Sequence, residues 1–148
     1  MRAWRLARRP YADLGGEGAR IAGGRWNSPG LPMVYLAEEA SLALLEVRVH
    51  LDLPLDLLPD DYVFLDVDLG TLDTEEAGLP PSDDECRRIG DSWLATGRTP
   101  LLRVPSAIVP FSRNLLLNPR HPAAAGARIA AWFRLKAARS SLLHPGPV

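Results

Sequence analysis

The stretch GGRWNSPGLPMVYLAEEASLALLEV, Gly23–Val47, places a turn, a strand and a helix in direct succession. The paired glycines and the run Asn27–Gly30 predict a tight turn. PMVYLA is typical of a strand, and EEASLALLEVRVHL predicts a helix that ends near Pro54. The expected apolar face of this helix consists of Leu42, Leu45 and Val49.

Glu46 is the unexpected residue in this stretch. It lies between Leu45 and Val47, in the most apolar part of its helix. An ionised carboxylate in such surroundings is costly unless it has a partner or a purpose. Arg25 and Tyr35 precede it, and an arginine beside glycines, with an aromatic residue following, suits a phosphorylated aromatic ligand. Taken singly, an arginine such as Arg25 is more often a surface residue or a packing partner of Trp26, and a strand tyrosine such as Tyr35 is more often a core residue.

The remaining chain predicts a mixed α+β fold in a single domain, residues 1–148. Strands are expected at AWRLA, YVFLDVDL, LLRVPSAIVP and NLLLNP, and an exposed or ligand-facing loop at YADLGGEGARIAGG. PSDDECRRIGDSWLATG has a Ser/Asp cap signal and a terminal glycine, which predict a helix. HPAAAGARIAAWFRLKAAR predicts a final amphipathic helix with Ile129, Trp132 and Phe133 on one face.

The charges are balanced, with 17 basic and 18 acidic residues and a formal net charge of −1. No overall field therefore attracts nucleic acid or an anionic membrane, and an anion must be bound locally. Lys136 is the only lysine. This excludes phosphate loops that depend on lysine and favours bidentate contacts made by arginine.

Cys86 is the only cysteine, so no internal disulfide can form and a reducing compartment is expected. The amino terminus lacks an apolar signal region, and no segment approaches the roughly 20 apolar residues of a membrane span. We therefore expect a cytoplasmic protein.

The sequence does not favour several common types of functional site. The three histidines lie far apart, which disfavours a zinc site, and no metal is expected. GGEGARIAGG has G-x-G spacing, but no helix is predicted after it. A dinucleotide-binding motif requires such a helix, so this motif is not expected here. No serine lies in a nucleophile elbow. The acidic spacing of DDYVFLDVDLG is better explained by a strand than by a calcium loop.

The ordered motifs GGRWNSPG, VYLAEEASLALLEVRVHL, VPSAIVP and NLLLNPRHP resemble the RES domain, the toxin half of RES–Xre toxin–antitoxin pairs. The resemblance covers nearly the whole chain. It implies a fold similar to the ADP-ribosyltransferase domains of diphtheria-like toxins, with a split, mostly antiparallel sheet around an NAD cleft. The family's arginine, tyrosine and glutamate fall on Arg25, Tyr35 and Glu46, and its serine on Ser106, with Ser112 as the alternative.

The implied activity is cleavage of the nicotinamide–ribose bond of NAD, by hydrolysis or phosphorolysis. Nicotinamide leaves as a neutral molecule, so one carboxylate is enough, and Glu46 would stabilise the positive charge that develops on the ribose. Arg25 suits the pyrophosphate or a ribose hydroxyl, Tyr35 suits the nicotinamide ring, and Ser106 would orient the ligand or Glu46. Asn118 is a further candidate for the cleft, with a turn before proline as the alternative explanation.

Two other functions remain open. The same residues would serve transfer of ADP-ribose to a protein, and a non-catalytic module that only binds an antitoxin would not need Glu46. The implied partner is an Xre-type antitoxin, and direct contact with DNA is not expected from the charge. A homodimer through Trp132 and Phe133 is a further option, although that face equally suits the core side of a helix.

Overall fold

A computed structural model describes residues 1–80 and 82–135 of the chain. The strands are β1 Arg2–Arg8, β2 Val34–Ala37, β3 Tyr62–Asp68, β4 Thr74–Glu76, β5 Leu101–Pro105, β6 Arg113–Leu117 and β7 Arg128–Arg134. The helices are α1 Glu17–Ala22, α2 Ala40–Leu51 and α3 Asp83–Thr96, with short 3₁₀ turns at Arg9–Tyr11, Leu55–Leu57 and Pro122–Gly126. The predicted α+β class is confirmed.

The strands form one sheet with the order β4-β5-β6-β2-β1-β3-β7. Every neighbouring pair is antiparallel except β4 and β5. At the centre, β1 and β2 share only the residue pair Trp4 and Ala37, whereas β1 and β3 are paired along their whole length. The sheet is therefore almost divided at its middle, and a cavity opens beside this junction.

The strand sequences explain the core. In β3 the residues Val63, Leu65 and Val67 are buried on one face of the sheet, while the intervening Phe64, Asp66 and Asp68 are half-buried on the other. They join Leu115 and Leu117 of β6 in the largest apolar cluster. The opposite face carries α2 and α3, whose contacts with the sheet form two smaller apolar clusters.

Helix α3 follows its predicted signals. The Ser82 hydroxyl accepts a hydrogen bond from the Glu85 amide at 3.2 Å, and Gly97 ends the helix in the left-handed conformation. Cys86, Gly90 and Trp93 are its buried residues.

Helix α2 ends at Leu51, close to the expected position, but only part of the predicted apolar face is buried. Leu42 and Ala43 are buried, Leu45 is half-buried and Val49 is 53% exposed. The helix packs against β1 and β2 mainly through its first turns, so Val49 lies beyond the sheet contact. Position in the fold, not helical spacing, decides which residues are covered.

The predicted final helix is also wrong within the described residues. Pro122–Gly126 is a 3₁₀ turn, and Arg128–Arg134 is the edge strand β7. Pairing with β3 overrides the helix propensity of the alanines, because β7 satisfies its backbone against an existing strand. Trp132 and Phe133 consequently point to opposite sides of the strand, and the single dimer face expected for them does not exist. Residues 136–139 of the predicted helix lie outside the described residues.

The loop predicted at residues 11–24 contains α1, and β4 has no clear signal in the sequence. The short α1 falls inside GGEGARIAGG, where no helix was expected. Within the described residues, no helix is long and apolar enough to cross a membrane.

Candidate active site

A cavity of about 720 Å³ opens beside the narrow junction of β1 and β2. Its volume is typical of a site for a small organic ligand. The loop that precedes β2, the strands β1 and β2, helix α2 and the turn between β5 and β6 all contribute to its lining. Of the five predicted site residues, Arg25, Tyr35 and Glu46 line this cavity, whereas Ser106 and Asn118 are not among its lining residues.

The loop that carries Arg25 depends on its two glycines. Gly23 has a φ of +74°, which strains residues with a side chain. A Cβ on Gly24 would lie 2.5 Å from the Tyr35 hydroxyl oxygen. The chain therefore needs glycine at both positions, one for its conformation and one for the close approach of Tyr35.

Asn27 anchors this loop from inside. It is fully buried, and its Nδ2 donates to the carbonyl oxygens of Ala19 at 2.9 Å and Leu31 at 3.0 Å. Its Oδ1 accepts a hydrogen bond from the Tyr35 hydroxyl at 2.6 Å. Such a fully used buried amide rigidifies the segment that contains Arg25.

The Tyr35 hydroxyl is engaged by the protein on both sides. It donates to Asn27 and accepts from the Trp26 amide at 3.0 Å. Burial is the main cause that raises the pKa of Tyr35 to about 12. The hydroxyl is therefore neutral at physiological pH, and the ring is the part of Tyr35 that a ligand can use as a surface.

Helix α3 presses against the same loop. A Cβ on Gly90 would overlap the Trp26 carbonyl oxygen, so only glycine permits this approach. The next residue of α3, Asp91, accepts hydrogen bonds from the Ser28 amide at 2.8 Å and the Ser28 hydroxyl at 2.6 Å. The loop is thus fixed by α3 as well as by β2.

Arg25 extends from this braced loop with its side chain 31% exposed. Its Nε lies 3.7 Å from Asp83 Oδ1, which is too long for a hydrogen bond. Nε is buried and has no hydrogen-bond partner among the described residues. The guanidinium retains hydrogen-bonding capacity for an anionic ligand.

Glu46, on the α2 side of the cavity, is held by two neutral donors. The Ser106 hydroxyl and the Asn114 Nδ2 each lie 2.8 Å from the same carboxylate oxygen, Glu46 Oε2. Ser106 is buried directly after β5, and its Oγ accepts from the amides of Ile108 and Val109 at 3.1 and 3.2 Å. The turn between β5 and β6 therefore aims the Ser106 hydroxyl at Glu46.

The alternative serine, Ser112, serves the turn through its backbone. Its amide donates to Val109 O at 2.9 Å, and its carbonyl oxygen accepts from the Ser106 amide at 3.0 Å. The serine whose hydroxyl contacts Glu46 is Ser106.

Comparison with known proteins identifies the family. Residues 2–138 match the family described as "RES domain". The chain belongs to the RES domain family.

Two curated relatives cover most of this RES domain. It is 41% identical over 137 residues to the Prs ADP-ribosylating toxin of Sphingobium sp. (strain YBL2), a match that covers 83% of this chain and 85% of that protein. It is 37% identical over 132 residues to Toxin Res of Pseudomonas putida (strain KT2440), covering 85% and 90% of the two chains.

The fold of this RES domain is also that of a solved structure, the M. tuberculosis MbcT–MbcA toxin–antitoxin complex. The TM-score is 0.79, with 93% of this chain and 85% of that chain covered. The sequence identity is 21%, so this likeness is one of fold.

Two arginines of β1 that the sequence reading did not single out also line the cavity of this RES domain. Arg8 is paired with Asp61, with Nη2 2.9 Å from Oδ2. Arg5 donates from Nη1 to the Tyr11 carbonyl oxygen at 2.9 Å and makes no ion pair in the described part of the chain. Burial lowers the pKa of Arg5, although Asp13 opposes this. Arg5 is a partly desolvated cation suited to an anion.

Asn118 in NLLLNP was predicted to lie in the cleft, whereas the asparagine that contacts Glu46 is Asn114. Asn118 Oδ1 accepts from the Arg120 amide at 3.0 Å, and its backbone oxygen accepts from the His121 amide at 3.1 Å. These bonds form the turn after β6, and Asn118 does not line the cavity. In the sequence Asn114 follows Arg113 at the start of β6, where a polar residue is unremarkable, so no local signal marks it.

Within residues 1–80 and 82–135, no group of three or more His, Cys, Asp and Glu side chains is arranged to hold a metal ion.

Proposed function

We propose that this RES domain is the toxin of a toxin–antitoxin pair and that it cleaves the nicotinamide–ribose bond of NAD. The observation that carries the proposal is Glu46, held through one carboxylate oxygen in a cavity that Arg25 and Tyr35 also line. The family membership and the toxin names of the relatives support it.

The chemistry requires a single carboxylate. Nicotinamide departs as a neutral molecule from a cationic linkage, so no acid is needed to protonate it. Positive charge builds on the ribose as the bond breaks, and a preorganised carboxylate beside it stabilises that charge. Both hydrogen bonds to Glu46 from the described residues go to Oε2. Oε1 is then the atom that accepts from a ribose hydroxyl.

Arginines supply the anchor for the pyrophosphate. Arg5 and Arg25 line the same cavity as Glu46, and neither makes a close ion pair among the described residues. A pyrophosphate bound by these guanidinium groups would place the attached ribose within the cleft. The Tyr35 ring would pack against the nicotinamide, and its hydroxyl would stay with Asn27 and Trp26.

The acceptor of ADP-ribose defines a second candidate function. Water or phosphate would give an NAD-depleting toxin. The relative named Prs ADP-ribosylating toxin favours transfer to a protein as the alternative. Both reactions pass through the same charge on the ribose, so Glu46 serves either one.

The proposed partner is an Xre-type antitoxin protein. The solved neighbour is a complex of a toxin with its antitoxin, which supports a protein partner. The net charge of −1 provides no basis for direct DNA binding by this chain. A cytoplasmic location is part of the proposal, because the single free cysteine, Cys86, fits a reducing compartment.

Analysis of the products tests the proposal. Purified protein is incubated with NAD labelled in the adenosine part, in buffers with and without phosphate and with a cell extract. We expect nicotinamide release, with the label found in free ADP-ribose, in a phosphorylated ADP-ribose or on protein. Each of these products identifies one acceptor. No nicotinamide release in any arm would refute NAD cleavage and favour a module that only binds the antitoxin.

A further inference from the structure

We propose that Asn114 is a positioning residue for Glu46, an inference that rests on the proposed function. Its side-chain amide and the Ser106 hydroxyl together hold Glu46 Oε2 and orient Oε1 toward the ligand. Asn114 acts through Glu46, and removing its amide lowers turnover more than it weakens NAD binding.

The first support is the convergence of three elements on one atom. Glu46 lies on α2, Asn114 lies on β6 and Ser106 follows β5. A glutamate side chain has several rotatable bonds, and a single hydrogen bond leaves the carboxylate free to turn about it. Two donors, one on β6 and one directly after β5, restrict the carboxylate more than a single donor would. Preorganisation of this kind is what charge stabilisation in a transition state requires.

The second support is the surroundings of Asn114. Its cross-strand neighbours are Val104 on β5 and Ala37 on β2, both apolar and buried. Leu115, Leu116 and Leu117 follow it in the same strand. An apolar residue would suit this position in the sheet at least as well as an amide does.

The third support is the cost that this amide carries. Asn114 Oδ1 is buried and has no hydrogen-bond partner among the described residues. A buried acceptor without a partner lowers stability. Asn114 Nδ2 therefore bonds to Glu46 while Oδ1 is left without a hydrogen bond from the described residues. Residues that lower stability while serving a site are typical of functional positions.

The test compares Asn114→Leu with wild type and with a matched control, Asn118→Ala. We expect Asn114→Leu to unfold at the same temperature as wild type or higher, while kcat for nicotinamide release falls by about 10- to 100-fold and KM changes little. Asn118→Ala loses the hydrogen bond of a turn, so its melting temperature should fall while kcat stays near wild type. The two asparagines should thus show opposite patterns.

Asn114→Asp supplies a readout that a structural role would not change. It replaces the donor to Glu46 with a second carboxylate, and two adjacent carboxylates share a proton more readily at low pH. The activity of this variant relative to wild type should rise as the pH falls. A flat ratio across pH would contradict the role of the amide as a donor to Glu46.

Crystal structures of wild type and Asn114→Leu, both without ligand, give an answer independent of activity. We expect one Glu46 conformation in wild type and a displaced or multiple one in the variant. An unchanged Glu46, or a kcat for Asn114→Leu within twofold of wild type, would overturn the positioning role. Failure of wild type to release nicotinamide would instead refute the proposed function, and the Glu46 conformations would still decide the role of Asn114.

Discussion

The two walls of the cleft are built in different ways. The wall that carries Arg25 is fixed by contacts that do not involve Arg25 itself: Asn27 bonds to Tyr35, Gly90 packs on Trp26, and Asp91 bonds to Ser28. The wall that carries Glu46 includes helix α2, which packs on the sheet through apolar residues, and the Ser106 and Asn114 side chains bond directly to the Glu46 carboxylate.

Substitutions in the two walls should therefore differ in their effects on stability and on activity. Changes in the Arg25 wall disturb buried hydrogen bonds and packing, so they should lower the free energy of unfolding as well as activity. Replacing Glu46 or Asn114 changes mainly the placement of one carboxylate, so it should lower activity with little loss of stability. Ser106 also accepts hydrogen bonds from the Ile108 and Val109 amides, so its loss should lower stability as well.

Gly90→Ala should give the largest loss of stability. Its Cβ would overlap the Trp26 carbonyl oxygen, so α3 or the Arg25 loop must move. We expect the free energy of unfolding to fall by about 3 kcal/mol. Gly78→Ala is the matched control, because a Cβ there meets no atom within 4 Å. Chemical denaturation of both variants measures the difference, and equal stabilities would contradict the close contact.

Tyr35→Phe should cost about 1–3 kcal/mol, because Asn27 Oδ1 and the Trp26 amide both lose a partner. Tyr62→Phe is the control, since the Tyr62 hydroxyl makes no hydrogen bond to the other described residues. Similar unfolding free energies for the two variants at neutral pH would show that the Tyr35 hydroxyl does not anchor the Arg25 loop.

The raised pKa of Tyr35 adds a pH dependence with a defined sign. The folded protein holds the phenolic proton up to a pKa of about 12, whereas an exposed tyrosine titrates near 10. Wild type should therefore lose stability as the pH rises from about 10 to about 12, and Tyr35→Phe should lose less over the same interval. Urea unfolding at each pH measures these losses. Equal losses in the two proteins would argue against a buried Tyr35 hydroxyl.

Arg5→Gln should raise KM for NAD by roughly 10- to 100-fold, the effect of one lost charge-assisted contact. Arg8→Gln is the comparison, because Asp61 already engages Arg8 and a smaller rise is expected. Steady-state nicotinamide release measures both. An equal rise for the two variants would mean that general positive charge, and not a specific contact from Arg5, attracts the ligand.

Ser106→Ala should show the smallest of these effects, about a tenfold fall in kcat, because Asn114 still holds Glu46. Ser112→Ala should keep wild-type activity, since Ser112 contributes only backbone hydrogen bonds to the turn. The reverse order of activities would assign the family's serine to Ser112.

Local signals in the sequence predicted much of this fold. Ser82 and Gly97 marked the ends of α3, and the alternation in YVFLDVDL marked β3. The segment after His121 was predicted wrongly because its alanines favour a helix, while the pairing of β7 with β3 is a long-range contact that no local pattern reports.

The site shows the same limit. Glu46 was conspicuous as a charge in an apolar run, and Arg25 and Tyr35 lie near it in the chain. Asn114 is 68 residues from Glu46, and only the folding of the sheet brings the two together. The buried hydrogen bonds of Asn27 were likewise hidden, because in sequence it forms part of an ordinary turn signal.

The measurement that tests the central claim most directly is nicotinamide release by Glu46→Gln beside Glu39→Gln, together with the thermal unfolding of both. Each variant removes one negative charge from the same segment, but Glu39 is exposed and its side chain does not cap α2. We predict that Glu46→Gln unfolds like wild type and releases nicotinamide about 10²- to 10³-fold more slowly, while Glu39→Gln stays near wild type. Wild-type turnover by a folded Glu46→Gln protein would remove Glu46 from the chemistry and contradict the account.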